Sequence, residues 1–320
     1  MKKAAAGLLL ILLCMLFVLI ILPYFSISGK YWLLDILISF QPVYTLLCVI
    51  TLITLFLFHK RLATYLMPVF VIATYGNFIQ YLPKVAHISP AEYTGEITIF
   101  QANIAYENKN PQALFQYLNS LQHDITVLFE VNDTYREEFG TLAKGKFNVG
   151  YAEIEGLPAG IGIITRFPII HRKIHYFAGK SALIVELTLL IEGKLINFYA
   201  LHPPSPRNKE TWQIRNNVIA QLQHLVSKQP ERLTLITADL NTTVWSTHFA
   251  QFSDITSCMA LNGLYGSWPS KLAVNNLTSW MSVAIDHCFM GSDFRLLKFE
   301  TQEIPGSDHL ALQYTAMLKK

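Results

Sequence analysis

The sequence predicts an α/β domain of four layers, with two sheets packed face to face between outer helices, after about three membrane-spanning helices. Three observations predict this. The first 85 of the 320 residues are almost entirely apolar. From residue 96 onward, short apolar runs alternate with amphipathic helical patterns. Several neighbouring apolar runs are joined by tight turns, which indicates antiparallel pairing. We therefore divide the chain into an anchor, residues 1–90, and a second domain, residues 91–320.

Three uncharged apolar runs are long enough to cross a bilayer, about residues 4–24, 39–58 and 62–82. At about 1.5 Å per residue, some twenty helical residues span the ~30 Å hydrocarbon core. The short stretch 31–38 is apolar apart from Asp35, and we expect it at the membrane interface, where Tyr31 and Trp32 are favoured. A cleavable signal peptide is the alternative for the first run, but no small-x-small site follows it.

Lysines and arginines in the short loops predict the orientation. Two lysines precede the first run, His59, Lys60 and Arg61 join the second run to the third, and Lys30 is the cation of the first loop. Positive charge favours the cytoplasmic side, so we expect the amino terminus inside. Three crossings then leave the second domain outside, which in a bacterium places it in the periplasm, anchored to the inner membrane.

Charge is divided between the two parts. Residues 1–90 hold six Lys/Arg and one acid, whereas the remainder holds 19 Lys/Arg and 21 Asp/Glu, a net −2. Proteins that bind nucleic acid nonspecifically concentrate positive charge on the binding domain. The balance therefore argues against tight nonspecific DNA binding by this domain, although a small basic cleft remains compatible with it.

Outside the apolar runs, Cys258 and Cys288 are the only cysteines. An oxidising compartment could join them.

The elements of the second domain follow in order. The runs ITIFQAN and ITVLFEV flank the helical pattern PQALFQYLNSLQ, which is a β-α-β arrangement. The run GIGIITRFPII comes next, and then SALIVELTLL and KLINFYAL, joined by Glu192–Gly193. A long helix over about 209–226 and the strand LTLITADLN complete the pattern.

Polar residues recur where these strand-like runs end. They are Asn103, Glu130, His202, Asp239 and Asn241, with Asp286 and Asp308–His309 beside later apolar runs. Strand ends are where sites are assembled on such sheets. Carboxylates suit a hard cation such as Mg²⁺, and a histidine can take a proton from water. The residues therefore indicate phosphate ester hydrolysis.

The order Asn103, Glu130, His202, Asp239-x-Asn241, Asp286, Ser307-Asp308-His309 resembles the endonuclease/exonuclease/phosphatase superfamily, which has the DNase I-like fold. The resemblance runs from about residue 96 to 318. It implies the four-layer sandwich and a divalent cation, Mg²⁺ with Mn²⁺ or Ca²⁺ as alternatives. It also implies a phosphate ester substrate, which could be a lipid head group, a small phosphoester or nucleic acid.

The resemblance also implies roles for these positions. Glu130 corresponds to the principal metal ligand, with Asn103 and Asp308 beside it. His309 corresponds to the general base, and Asp286 to the carboxylate that orients it. The remaining three residues position water and phosphate or stabilise phosphoryl charge: Asp239, Asn241 and His202.

Two positions depart from the family pattern. Ala238 replaces the common glycine before Asp239, and Ala105 stands where apurinic endonucleases carry an acid. The second departure predicts a thinner metal shell. Arg166, in the segment GIGIITRFPI, is expected to be structural.

Several of these residues also have an alternative structural explanation. Asn103 could cap a turn, and Asp239–Asn241 could form an Asx-type turn. Glu130 could form a buried salt bridge, and His202 could be a packing residue of the proline-rich turn that follows it. The corresponding alternative for the whole protein is a catalytically silent binding or assembly module, which the intact set of acids and histidines argues against.

Overall fold

The computed structural model describes residues 2–82, 93–150, 160–180, 182–229, 233–249, 251–252, 254–274 and 278–320. The predicted boundary between residues 90 and 91 lies outside these ranges. The α-helices are α1 (Lys2–Ile21), α2 (Trp32–Leu37), α3 (Gln41–Phe58), α4 (Lys60–Phe78), α5 (Pro111–Ser120), α6 (Arg136–Leu142), α7 (Lys209–Ser227), α8 (Cys258–Asn262) and α9 (Ser270–Ala273). The strands are β1 (Tyr93–Asn103), β2 (Ile125–Phe129), β3 (Phe147–Val149), β4 (Gly162–Thr165), β5 (Ile169–Phe177), β6 (Ala182–Ile191), β7 (Lys194–Leu201), β8 (Leu233–Asp239), β9 (Ile255–Ser257), β10 (Asp286–Gly291), β11 (Phe294–Glu303) and β12 (Leu310–Lys319).

The strands form two six-stranded sheets. The first has the order β11-β12-β1-β2-β4-β3 and the second β5-β6-β7-β8-β10-β9. Within each sheet one central pair is parallel, β1 with β2 and β7 with β8, and the other pairs are antiparallel. Alternate apolar side chains from both sheets form one buried core between them, which includes Ile99, Val127, Phe198 and Leu312.

Helices cover both outer faces. In the first sheet, Phe100 and Leu128 pack against Leu114 of α5 and Phe139 of α6. On the other side, α7 contributes apolar residues to a third cluster. The predicted sandwich of two sheets with helices outside is therefore confirmed.

Local chemistry explains two of these elements. Glu192 and Gly193 both have positive φ, 48° and 76°, and close the predicted hairpin between β6 and β7. Helix α7 begins with a capping box, because the side chain of Asn208 accepts from the Thr211 amide and Thr211 bonds back to the Asn208 amide.

The N-terminal helices α1, α3 and α4 pack on one another around a small apolar core that includes Leu16, Leu55 and Phe70. By length and composition alone, two helical segments could cross a membrane, Ala5–Tyr24 and Trp32–Phe58. The predicted third span, 62–82, corresponds to α4, which is not among these two because polar residues and a proline, Pro68, dilute its apolar sequence.

Cys258 and Cys288 form a disulfide, with Cα atoms 5.4 Å apart. The bond links α8 to β10 in the core between the two sheets.

Candidate active site

The sequence-predicted site residues meet at one edge of the sandwich. Strands β1, β2, β7 and β8 run toward this edge, so the residues at or just after their ends are Asn103, Glu130, His202, Asp239 and Asn241. Strands β10 and β12 begin at the same edge and contribute Asp286, Asp308 and His309. Both sheets therefore supply side chains to one place.

A buried acid–histidine cluster forms the deepest part of the site. The Nδ1 of His309 lies 2.8 Å from the Oδ2 of Asp286 and 3.9 Å from the Oδ2 of Asp239. Asp286 and Asp239 are direct partners in the antiparallel register of β10 and β8. Burial lowers the pKa of His309, but the charge and hydrogen bond of Asp286 and the charges of Asp239 and Asp308 outweigh it and raise the pKa to about 10. The two neighbouring carboxylates therefore favour the protonated form of the imidazole.

Asn103 and Asp239 join the two sheets. The Nδ2 of Asn103 donates to the Oδ2 of Asp239 at 3.0 Å, and the Oδ1 of Asn103 accepts from the Ala105 amide at 3.0 Å. One layer deeper, the Nε2 of Gln101 donates to the carbonyl of Ala238. Burial and then the charge of Asp286 raise the pKa of Asp239.

Glu130 stands at the mouth of the site. It follows β2 in a left-handed conformation, with φ of 59°, and its side chain is 31% exposed. Its Oε2 accepts from the Tyr106 amide at 2.8 Å, and its Oε1 lies 3.7 Å from the Nε2 of His202. Gly160 fits closely here, because a Cβ at that position would lie 3.3 Å from the Cα of Glu130.

His202 and Asn241 lie on the side of the second sheet. The Nε2 of His202 is 3.5 Å from the Oδ2 of Asp239, which places its ring between that acid and Glu130. The amide of Asn241 donates to the Oδ1 of Asp239, and its Nδ2 donates to the carbonyl of Pro203 at 3.1 Å. The Asx-type turn considered from the sequence is thus present, and Asn241 also contacts the segment that carries His202.

The site opens into a cleft of about 1440 Å³. Glu130, His202 and Asp308 line it, together with the cations Lys109, Arg207 and Lys271. The Oδ2 of Asp308 accepts from the Nε1 of Trp268 at 2.9 Å. The site therefore combines carboxylates, a histidine and cations on one solvent-accessible surface.

Two groups of residues could hold a cation. Asp239, Asp286 and His309 have ligand atoms within 4.8 Å of one another. The Nδ1 of His309 and the Oδ2 of Asp286 already bond to each other, and the two oxygens of Asp239 accept from Asn103 and from the Asn241 amide. By contrast, among the described residues Glu130 has no Lys or Arg partner. The carboxylates of Glu130 and Asp308 on the open cleft therefore fit a hard cation better, and Asn103 fits through the second lone pair of its Oδ1.

Several contacts that support the site had no recognisable sequence signal. Ser307 donates to the Asn103 carbonyl at 2.7 Å and its Oγ accepts from the His309 amide at 3.0 Å. The backbone amide of Tyr106 holds Glu130. The bond from Trp268 to Asp308 joins two residues that are 40 positions apart.

Comparisons with solved structures show the same fold. D. rerio TDP2 complexed with a single-strand DNA product is 14% identical and has a TM-score of 0.58, and the match covers 70% of this chain and 99% of that chain. The endonuclease/exonuclease/phosphatase from Bacteroides vulgatus is 14% identical with a TM-score of 0.58, covering 71% and 100%. SmcL is 14% identical with a TM-score of 0.53, covering 71% and 100%.

The sequence itself carries the family assignment. No curated protein matches it. The sequence model of the Endonuclease/Exonuclease/phosphatase family matches residues 100–309, which include all of the sequence-predicted site residues. This span is well over half of the chain and contains the acid–histidine cluster and Glu130. The chain belongs to the endonuclease/exonuclease/phosphatase family.

Proposed function

We propose that this protein is a divalent-metal-dependent phosphoesterase, tethered to a membrane with its catalytic domain outside the cytoplasm. The observation that carries the proposal is the connection between a buried cluster and an open cleft. The buried Asp286–His309 pair lies beside Asp239, and His202 connects Asp239 to the partly exposed carboxylate of Glu130, which lines the cleft.

Glu130 and Asp308 would hold the cation, with Asn103 beside them, because hard cations prefer carboxylate and amide oxygens. A bound Mg²⁺ or similar ion would supply Lewis acidity toward a phosphoryl oxygen. The Tyr106 amide and the Nε1 of Trp268 orient the two carboxylates, so their positions do not depend on a ligand.

His309 would act as the general base. Its Nδ1 bonds to Asp286, which leaves Nε2 as the nitrogen that can take a proton from water. The carboxylate of Asp286 would then stabilise the imidazolium that forms.

The other polar residues would bind the phosphate and the attacking water. His202 lies between Glu130 and Asp239 and lines the cleft, where it would contact phosphoryl oxygens. Asp239 and the turn through Asn241 would position the water next to His309.

The membrane tether rests on the surface of the N-terminal helices. Only 22% and 28% of the two apolar segments is buried, whereas a core helix of a soluble protein is mostly buried. Large apolar side chains remain exposed on each of the three helices, such as Ile11, Ile53 and Ile72. We include α4 as a third span because it packs in the same bundle.

A buried polar network supports this three-helix arrangement. Asn77 of α4 donates to the carbonyl of Ile20 and to the side chain of Gln41, and Gln41 donates to the carbonyl of Leu19. The end of α1, the start of α3 and the end of α4 therefore lie on one side of the bundle. Lys60 and Arg61 mark the opposite side, which the positive-inside rule assigns to the cytoplasm. The disulfide between Cys258 and Cys288 suits an oxidising outer compartment.

The proposal is tested with the full chain in detergent and a panel of substrates. The panel is bis(p-nitrophenyl) phosphate, p-nitrophenyl phosphate and single-stranded DNA, each with Mg²⁺, Mn²⁺ or EDTA. We expect turnover of at least one ester that EDTA abolishes and added metal restores. Turnover that is unaffected by EDTA would contradict the metal dependence, and no turnover by folded protein would favour the silent binding module.

A further inference from the structure

The N-terminal bundle contacts the catalytic domain at a limited set of loops. The bundle donates two hydrogen bonds to that domain, from Trp32 Nε1 to the Pro206 carbonyl (2.8 Å) and from Tyr81 Oη to the Val244 carbonyl (3.5 Å). The domain donates two to the bundle, from His248 Nε2 to the Gly29 carbonyl (2.8 Å) and from Trp245 Nε1 to the Asn77 carbonyl (3.2 Å). Asp35 of α2 adds a buried cluster, accepting from Trp212, Arg215 and Ser246. These polar contacts lie in the segments around residues 206 and 244–248 and at the start of α7, and Tyr81 also packs against Met259 and Ala284.

These segments belong to the edge of the sandwich that carries the site. Strand β7 ends at Leu201 and leads through His202 to Pro206. Strand β8 ends at Asp239 and leads through Asn241 to the segment 244–248. The bundle is thus attached to the loops that leave the catalytic strands, and not to the opposite edge, where β6 turns into β7 at Glu192–Gly193.

Two short connections link the bundle to the site itself. Arg215 donates from one guanidinium nitrogen to Asp35 and from another to the carbonyl of Asn241 at 2.9 Å. Pro206, the partner of Trp32, is followed directly by Arg207, which lines the cleft. One side chain, Arg215, therefore separates Asp35 of the bundle from Asn241 of the site. One peptide unit separates the Trp32 contact from Arg207 on the cleft.

The segment between α1 and α3 exposes aromatic and apolar side chains of the kind found at a bilayer surface. Tyr24, Phe25, Tyr31 and Leu33 are each more than half exposed, although all four are large and apolar or aromatic. Aromatic residues of this kind accumulate at the membrane–water interface. Because the same segment bonds to Pro206 and Arg215, an anchor in the bilayer would hold the active-site edge against the membrane surface.

From this orientation we infer that the substrate is a phosphoester carried by the head group of a membrane lipid, an inference that rests on the proposed function. Lys109, Arg207 and Lys271 on the cleft would pair with the phosphate. The net charge of −2 over residues 91–320 opposes the binding of a long, highly charged nucleic acid, but it does not oppose the binding of a single lipid head group. Water oxygen bonds to phosphorus and the ester P–O bond breaks. The proton taken by His309 returns to the leaving oxygen, giving an alcohol and a phosphate with one ester bond fewer.

The activity test uses the full chain reconstituted in vesicles of phosphatidylethanolamine and phosphatidylglycerol, with phosphatidic acid or cardiolipin added in parallel. Release of head group or phosphate is compared with hydrolysis of bis(p-nitrophenyl) phosphate and single-stranded DNA. We expect kcat/KM for at least one vesicle lipid to exceed that for its water-soluble head-group analogue by at least about 10²-fold, because tethering raises the effective concentration.

The outcomes separate this inference from the proposed function. Metal-dependent turnover of the soluble diester or of DNA, without lipid turnover, would overturn the lipid inference and leave the phosphoesterase standing. No turnover of any substrate by folded protein would overturn both.

The orientation is tested without activity. A fluorophore is attached to a single introduced cysteine, at Lys271→Cys on the cleft or at Ser292→Cys beyond the far end of β10. The free cysteines are removed by Cys14→Ser and Cys48→Ala. Both positions are exposed. Lipids with a spin-labelled head group should quench the label at residue 271 several-fold more than the label at residue 292. Equal quenching, or stronger quenching at residue 292, would show that the active-site edge does not face the membrane.

Discussion

The Nδ1 of His309 lies 2.8 Å from the Oδ2 of Asp286, and both side chains are buried. The pair joins the two sheets, because Asp286 begins β10 and His309 directly precedes β12. The second carboxylate oxygen of Asp286 has no hydrogen-bond partner among the described residues. In the proposed mechanism, Asp286 fixes the tautomer of the base and stabilises the imidazolium that forms.

Asp286→Asn should lower kcat by about 10²- to 10⁴-fold, because the amide cannot stabilise the protonated base. Mn²⁺ affinity, followed by electron paramagnetic resonance, should stay within a few-fold of wild type, since we assign the cation to other residues. Asp293→Asn, in the turn before β11, is the matched control and should retain activity. Equal losses of Mn²⁺ binding and turnover in Asp286→Asn would instead make this residue a metal ligand.

Glu130→Gln should weaken Mn²⁺ binding by at least about tenfold, because a carboxylate ligand becomes neutral. The protein should remain folded, since Glu130 is partly exposed and its bond from Tyr106 can be made by the amide oxygen. Glu107→Gln removes a carboxylate from the same cleft and serves as the control. Isothermal titration calorimetry makes the comparison, and identical affinities for the two variants would contradict the assignment.

Asp35→Asn should lower the free energy of unfolding by about 3 kcal/mol, because it leaves the buried guanidinium of Arg215 without its counter-ion. Denaturation of the full chain in detergent, followed by circular dichroism, measures the loss. Removing both charges, with Asp35→Leu and Arg215→Met, should recover most of it. A single variant as stable as wild type would mean that the bundle is not held to the catalytic domain by this ion pair.

His287 should make stability fall in mild acid. Its ring is fully buried against Phe249 and Phe289, and burial lowers its pKa to about 4. Above about pH 6.5 the residue is neutral in both states, whereas between about 6.5 and 4 only the unfolded chain binds the proton, so up to about 3 kcal/mol of stability is lost. As the pH falls over this range, the unfolding free energy of the wild type should decrease more than that of His287→Phe, which lacks the titrating group. A constant difference would show that His287 titrates normally.

The sequence could predict where single side chains lie relative to a strand. An apolar run followed by Asn103 or Glu130 places that residue at a strand end, and strand alternation places His287 on the face opposite Asp286. The predicted hairpin at Glu192–Gly193 was equally local and is confirmed. These inferences needed only a short window of residues.

The contacts that unite the site could not be read in this way. Asn103 and Asp239 are 136 residues apart, and Asp35 and Arg215 are 180 residues apart. Asp35 was predicted to lie at the membrane interface, and its burial against α7 depends on how the bundle docks. No local pattern encodes a contact between two surfaces, and the family resemblance extends only to the second domain.

The most direct measurement is metal-dependent turnover of bis(p-nitrophenyl) phosphate by the full chain and its His309→Ala variant. His171→Ala, an exposed histidine of β5, is the matched control. We predict that EDTA abolishes wild-type turnover, that His309→Ala loses at least about 10²-fold in kcat, and that His171→Ala retains it. Full turnover by His309→Ala, or turnover unaffected by EDTA, would contradict a metal-dependent hydrolysis with His309 as its base.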